Sequence, residues 1–243
     1  MAVVDLIIPV YEEGDNIERV LRRVESAVPL RKRVLIVYDH EEDTTIPVVR
    51  RLQEELSDVE LVRNAHGRGV LNAIRTGFES STGEVSIVTM GDLSDDVEKI
   101  PEMVRLIKEE GFDVVCASRY VPGGAQIGGP RLKGFLSRTA GVSLHLLTGI
   151  PTHDITNSFR AYRTSVVQGI EIASRGGFEV SMELTVKVWA RGHRVTEIPA
   201  IWRDRTEGES RFRMWKWIPQ YLRWYVYALR NRPRPTLGDR PPP

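Results

Sequence analysis

Short β-branched runs alternate with amphipathic stretches through the first half of the chain, and this alternation limits the fold more than any other feature. Ala2–Ile8, Val34–Tyr38, Val59–Arg63, Val85–Met90 and Asp113–Ala117 read as five strands. Helices are expected between them. The first opens at Asp15, which with Glu18 three residues on has the pattern of a capping box. The others are Ile46–Leu56, Val70–Ser80 and Ile100–Glu109. Such alternation predicts an α/β fold with a mostly parallel sheet flanked by helices. Ligands of such sheets sit beyond the carboxyl ends of strands, so the segments after the strands carry the functional question.

The second half is less regular. A glycine-rich loop, Pro122–Pro130, leads into a helix around Leu132–Leu147. The segment HDITNSFRAYR (His153–Arg163) follows, then a helix around Ser181–Ala190 and a strand around Val195–Ile201. An arginine-rich loop (Arg203–Arg213) precedes an aromatic helix, Met214–Arg230, and the proline-rich tail, residues 231–243, reads as disordered. Lys plus Arg number 34 against 33 for Asp plus Glu, a balance that disfavours a nucleic-acid partner. Cys116 is the single cysteine, so no intramolecular disulfide forms and a reducing compartment fits. The start, MAVVDLIIPVYEE, lacks a basic n-region and reads as a strand rather than a signal peptide. No stretch reaches the ~18 uncharged apolar residues of a membrane helix, and a cytoplasmic location is expected.

Acids follow the strands: Glu12 and Glu13 the first, Asp39 and Asp43 the second, and Asp92, Asp95 and Asp96 the fourth, with Asp154 in the second half. Carboxylates gathered at one sheet edge suit a hard divalent cation, which uses one or two of them together with substrate phosphates. Taken singly, each acid reads equally as a solvated loop residue. HGRGVLNAIRTGF (His66–Phe78) lacks dinucleotide-site glycine spacing and fits a turn followed by close helix packing. Arg119, Arg131, Lys133, Arg138, Arg160, Arg203, Arg205, Arg211 and Arg213 put basic charge in the second half. Guanidinium groups suit phosphate recognition, so acids and bases here could bracket a metal-bound diphosphate and a second anion.

In order along the chain, PVYEEGDN (Pro9–Asn16), YDHEEDTT (Tyr38–Thr45), GRGVLNAIRTG, TMGDLSDD (Thr89–Asp96), ASRYVPGG (Ala117–Gly124), LKGFLSR (Leu132–Arg138), DITNSFRAYR (Asp154–Arg163), FEVSMEL (Phe178–Leu184) and EIPAIWRDRTEGESR (Glu197–Arg211) resemble a glycosyltransferase of family 2. Within it they are most similar to the dolichol-phosphate mannose synthase branch, the polyprenyl-phosphate glycosyltransferases. The resemblance implies a GT-A fold over residues 1–212, with a Rossmann-like nucleotide-sugar-binding half (1–117) and an acceptor half (118–212). It also implies a nucleotide-sugar donor, Mg²⁺ or Mn²⁺, and inversion at the anomeric carbon. By the same resemblance Pro9, Tyr11, Glu13, Asp39, Gly69 and Asp92 bind the donor, and Asp92 and Ser94 hold the metal. Arg119, Lys133, Ser137 and Ser210 hold the acceptor phosphate, and Arg205 and Arg211 close over donor and acceptor. Asp92, Arg119, Lys133, Arg205 and Arg211 are thus the candidate catalytic set.

The chain departs from the family pattern at Met90, where an aspartate is usual, at Tyr38, at His40 and Glu41, and at Glu12, which replaces asparagine. The leading expectation is transfer of mannose from GDP-mannose to a polyprenyl monophosphate at the cytoplasmic face of a membrane. Two alternatives stand beside it: a UDP-sugar such as UDP-glucose, or a saccharide acceptor, with Asp154 as base, and a non-catalytic nucleotide-sugar-binding subunit. The Trp, Tyr and basic residues of Met214–Arg230 fit an in-plane membrane helix. They fit equally a helix packed on the catalytic domain or on a membrane-protein partner.

Overall fold

The structure is a computed structural model that describes residues 3–204 and 214–233, with the backbone alone for 214–217. In chain order the elements are β1 (Val4–Pro9), α1 (Gly14–Ala27), β2 (Lys32–Tyr38), α2 (Thr45–Leu52), β3 (Val59–Arg63), α3 (Val70–Ser80) and β4 (Val85–Val88). A 3₁₀ turn (Val97–Lys99) leads into α4 (Ile100–Lys108), β5 (Val114–Ser118), β6 (Ala125–Ile127) and α5 (Arg131–Thr148). Then come β7 (Arg160–Arg163), α6 (Thr164–Gln168), α7 (Val180–Ala190), β8 (Val195–Pro199), β9 (Ile201–Arg203) and α8 (Met214–Arg230).

Seven strands form one sheet in the order β3-β2-β1-β4-β7-β5-β8, and β6 pairs with β9 in a small second sheet. All pairings in the large sheet are parallel except those of β7, which runs antiparallel to both β4 and β5. β1, β2, β4 and β5 are mainly apolar on both faces because helices cover both. On β1, Leu6 and Ile8 join Ile17, Val20 and Leu21 of α1 and Met103 and Ile107 of α4. Ile7, between them, joins Ile74 and Phe78 of α3 and Met182 and Leu184 of α7. This two-residue period turns a continuous apolar run into two separate cores.

The five expected strands are present; Val59–Arg63 has the expected bounds and the other four have shifted ends. Thr45–Leu52 is shorter than the expected Ile46–Leu56 helix. β4 stops at Val88 rather than Met90 because the Met90 amide turns away and donates to Asp95 Oδ2 at 2.9 Å. Asp15 does not cap α1. The amides at that helix start are met from the β2–α2 turn: Glu12 N–H donates to Asp43, Glu13 N–H to Thr45 Oγ1 and Gly14 N–H to Thr44 Oγ1. Glu18 instead pairs with Arg22 and Arg51. β7 lies inside a segment that the sequence left without a strand, and it occupies the middle of the sheet.

Candidate active site

The carboxyl ends of β1, β2, β4 and β5 lie along one sheet edge. Because β7 runs the other way, the loop entering it reaches that same edge. At the end of β1, Tyr11 is 39% exposed and sets its ring edge-on to His40, centroids 5.6 Å apart. Glu13 accepts from Asn16 Nδ2 at 2.8 Å. At the end of β2, Asp39 accepts from Asn64 Nδ2 at 2.8 Å and from the Gly69 amide at 2.9 Å. The Asp39 and Gly69 of the donor set are therefore bonded to one another. Gly69 holds φ 120° and ψ 151°, a backbone region that only glycine enters cheaply, so a side chain there would pull the amide off Asp39.

Beyond β4, Asp92 is 9% exposed and its Oδ1 accepts the Ser94 amide at 3.1 Å. Asp95 is buried beside it, accepting from Thr89 Oγ1 at 3.0 Å as well as from Met90. Burial, then the neighbouring Asp92 charge, push the Asp95 carboxyl up to about 7. A divalent cation here would offset the charge of these neighbouring acids, and their oxygen donors suit Mg²⁺ or Mn²⁺. The acids present thus fit such an ion even though Met90 removes one ligand. The loop is tied down from the far half of the chain: Asp96 Oδ2 accepts the Ile201 amide at 3.1 Å, and Arg203 N–H donates to the Ser94 carbonyl at 3.0 Å. These ties link residues more than a hundred positions apart and leave no local signal in the sequence.

Beyond β5, Arg119 meets Asp154. Its Nε donates to Oδ2 at 2.6 Å and its Nη2 to Oδ1 at 2.8 Å, a two-pronged pair inside the protein. Nη2 also donates to Ser137 Oγ at 3.0 Å and Thr156 Oγ1 at 3.1 Å, and the Tyr120 hydroxyl donates to Ser137 at 2.7 Å. Burial alone would raise the Asp154 carboxyl, but the Arg119 charge and hydrogen bonds outweigh it and hold it below the usual range. Arg119 answers in kind: Asp154 raises it against the cost of burial. Arg119 and Ser137, expected together at the acceptor phosphate, and Asp154, expected in a different role, are one cluster. Lys133 lies one turn before Ser137 on α5 and is half-buried. Arg205, Ser210 and Arg211 lie outside the described residues.

Two expectations need correction. Arg160 does not face an anion: it is fully buried and donates to the Ser181 carbonyl, Thr185 Oγ1 and the Asp154 carbonyl. Asp154, expected as a base for a hydroxyl acceptor, has no exposed surface and spends both oxygens on Arg119.

The aromatic helix is present as α8 and packs on α5 and α7. Its described aromatic side chains turn inward rather than to a lipid surface. Trp224 is 2% exposed, donates to Ser174 Oγ at 2.9 Å and lies beneath Lys187 and Arg223; Tyr225 reaches Ser143 at 2.9 Å. Exposed apolar side chains among the described residues include Ile218 and Leu222 on α8 and Leu132, Phe135, Leu136, Leu146 and Leu147 on α5. Among the described residues no helix is long and apolar enough to cross a membrane.

Comparison with known proteins fits this geometry. Glycosyl transferase family 2 matches residues 5–170. Dolichol-phosphate mannosyltransferase of Pyrococcus furiosus is 31% identical over 231 residues, which are 93% of this chain and 63% of that protein. Polyprenol monophosphomannose synthase of Mycolicibacterium smegmatis is 30% identical over 85% of this chain and 79% of that protein. The chain thus spans less than two thirds of the first of these relatives. Among solved structures, glucosyl-3-phosphoglycerate synthase of Mycobacterium tuberculosis, in complex with Mn²⁺, UDP and glucosyl-3-phosphoglycerate, superposes with a TM-score of 0.69 at 14% identity. That match covers 98% of this chain and 82% of the other, and it shows a shared fold.

Proposed function

The chain belongs to glycosyl transferase family 2, and from that premise we propose that it moves a hexose from a nucleotide sugar onto a polyprenyl monophosphate with inversion, mannose from GDP-mannose being the first donor to test. The observation that carries the lipid acceptor is the composition of α5. A lipid phosphate needs polar anchoring beside apolar surface, and one helix offers both: Ser137 bonded to Arg119, Lys133 a turn away, and Leu132, Phe135 and Leu136 exposed alongside. Ile218 and Leu222 are exposed on α8, which packs on α5, and together these helices are the candidate face toward the cytoplasmic leaflet of a membrane.

The division of labour follows from the residues. Tyr11, Glu13, Asp39 and Gly69 shape the donor pocket at the ends of β1 and β2. Asp92, with Ser94 and Asp95 at hand, would hold a divalent cation, which would supply charge neutralisation for a departing nucleoside diphosphate. Arg119, Lys133 and Ser137 orient the acceptor phosphate opposite the leaving group, and the family resemblance assigns Arg205, Ser210 and Arg211 to the same phosphates. A phosphate monoester has its second pKa near 6, so the nucleophile is already largely ionised at pH 7 and needs no base. Orientation then supplies much of the rate. Asp154 accordingly acts as the positioning residue for Arg119, and its burial weighs against a hydroxyl acceptor.

The test is a donor panel. Full-length protein is incubated with Mg²⁺ or Mn²⁺, a polyprenyl phosphate, and labelled GDP-mannose, UDP-glucose, UDP-galactose or UDP-N-acetylglucosamine. Label in the organic phase from one donor, lost with a chelator, is the expected outcome. Donor consumption without organic-phase label would shift the acceptor to a saccharide or soluble molecule. No consumption at all would favour a nucleotide-sugar-binding subunit without catalysis.

A further inference from the structure

Two turns at the sheet edge, one after β1 and one after β2, bring an imidazole between carboxylates. Glu12, in a left-handed backbone conformation (φ 56°), places Oε1 3.3 Å from His40 Nε2. Asp43, 1% exposed, lies beneath, and the candidate ligand atoms of Glu12, His40 and Asp43 all fall within 4.8 Å of one another. On the other side of the ring, His40 Nδ1 is 3.5 Å from Glu42 Oε2.

We propose that Glu12, His40 and Asp43 form an exchangeable site for a borderline transition-metal cation, Zn²⁺ above all, separate from the acids beyond β4. Three features of the geometry support it. Zn–N and Zn–O bonds of about 2.0–2.2 Å at tetrahedral angles put neighbouring ligand atoms about 3.4 Å apart, close to the separation of Glu12 Oε1 and His40 Nε2. Asp43 is already oriented, since its carboxylate accepts the amides of Glu12 and Thr45 and keeps lone pairs to spare. Closing its distance to the tetrahedral edge takes at most about 1.4 Å of side-chain movement. Glu42 stands where the outer partner of a ligating histidine stands: a proton on Nδ1 facing that carboxylate leaves the Nε2 lone pair for the ion.

The donor set also sets the choice of ion. One imidazole with two carboxylates suits Zn²⁺, whereas Mg²⁺ prefers oxygen donors and water. Three protein ligands leave a fourth position open, the arrangement of a site that exchanges its ion or accepts a further ligand. A bound ion would tie the β1–α1 turn to the β2–α2 turn next to the Tyr11 ring. The site stands whether or not the donor and acceptor assigned above are right, because binding is measured without turnover.

The experiment is calorimetric titration of ZnCl₂ into the untagged, chelator-stripped 243-residue chain in excess Mg²⁺, which occupies the oxygen donors beyond β4, repeated with Co²⁺ to read the visible bands of a four-coordinate ion. One equivalent of Zn²⁺ should bind. His40→Ala and Glu12→Gln should each weaken binding at least roughly tenfold, and Glu42→Gln by a smaller factor, with melting curves confirming that each variant folds. Asp92→Asn, which removes the acid of the other site, and His153→Ala, which removes the histidine paired with Glu197 at 2.5 Å, should leave the titration unchanged. The proposal is overturned if the wild-type chain takes up no Zn²⁺. It is equally overturned if both His40→Ala and Glu12→Gln bind as the wild type does, or if Asp92→Asn or His153→Ala abolishes the binding. Should His40→Ala fail to fold, Glu12→Gln alone decides, since it keeps the size of the side chain.

Discussion

Replacing Asp154 with asparagine isolates the pair that holds Arg119. The carboxylate is fully buried and the guanidinium 9% exposed, so the change leaves a charge inside the protein with no counter-ion. It also weakens the acceptor for the backbone amides of Arg119 and Asn157. Breaking a buried pair by removing one partner costs about 3–5 kcal/mol. With an unfolding entropy near 2.1 cal/mol/K per residue, a chain of 243 residues should lose about 6–10 °C in melting temperature. Thermal melts and denaturant titrations of Asp154→Asn at pH 7 measure this directly. A second measurement fixes the cause. The carboxyl is held below its unfolded value, so the pair's contribution is complete above about pH 4 and fades as pH falls through the folded value. The gap between wild type and variant should therefore be widest near neutrality and shrink in acid. Replacing both Arg119 and Asp154 with leucine should recover part of the loss, since no buried charge then remains unpaired. A variant that melts within about 2 °C of wild type at pH 7, or a gap that widens in acid, would refute the reasoning.

Other outcomes follow from single contacts. A Cβ at Gly141 would collide with the His153 carbonyl oxygen, a backbone atom that cannot step aside, so Gly141→Ala should cost about 1–3 kcal/mol or more in denaturant titrations. Asp92→Asn should abolish chelator-sensitive transfer while leaving the melting temperature within a few degrees, as read in the organic-phase assay. Phe135→Glu and Leu222→Glu alter exposed side chains, so both should keep wild-type stability and lower flotation with anionic liposomes; unchanged flotation would remove α5 and α8 from the membrane face. Gly69→Ala should weaken donor binding, measured by calorimetry with GDP or UDP, because the backbone that presents its amide to Asp39 requires positive φ.

Of the five strands of the first half, β1, β2, β4 and β5 could be read in advance because each carries an apolar, β-branched run buried on both faces, and the edge strand β3, with Glu60 and Arg63 exposed, from its valines and leucine between polar turns. β7 could not. RAYR is four residues long with arginine at both ends, and it becomes a strand only because β4 and β5 leave a gap that it fills from the opposite direction. Arg160 misleads for the same reason. As a letter it is one more cation, and only the fold shows its charge spent on two carbonyls and a threonine hydroxyl. The acids beyond β1, β2 and β4 were visible from their positions after strands. The partnership of Arg119 with Asp154 was not, since nothing local joins residues 35 apart. For α8 the periodicity identified an apolar face but not its cover. α5 and α7 take the aromatic side, and Ile218 and Leu222 remain outside.

The central place of β7 has a further effect. Strands in a sheet keep a spacing of about 4.8 Å, so the strand that ends before Asp92 and the strand that ends before Arg119 stand two spacings, about 10 Å, apart. The sheet thus works as a gauge between the acidic and basic sides of the site. Substitutions in the flanking turns can change what is gripped on either side, but they leave the gap itself untouched. Changing that gap would mean removing a strand from the middle of the fold. Side chains that reach toward each other from the two sides start from that interval.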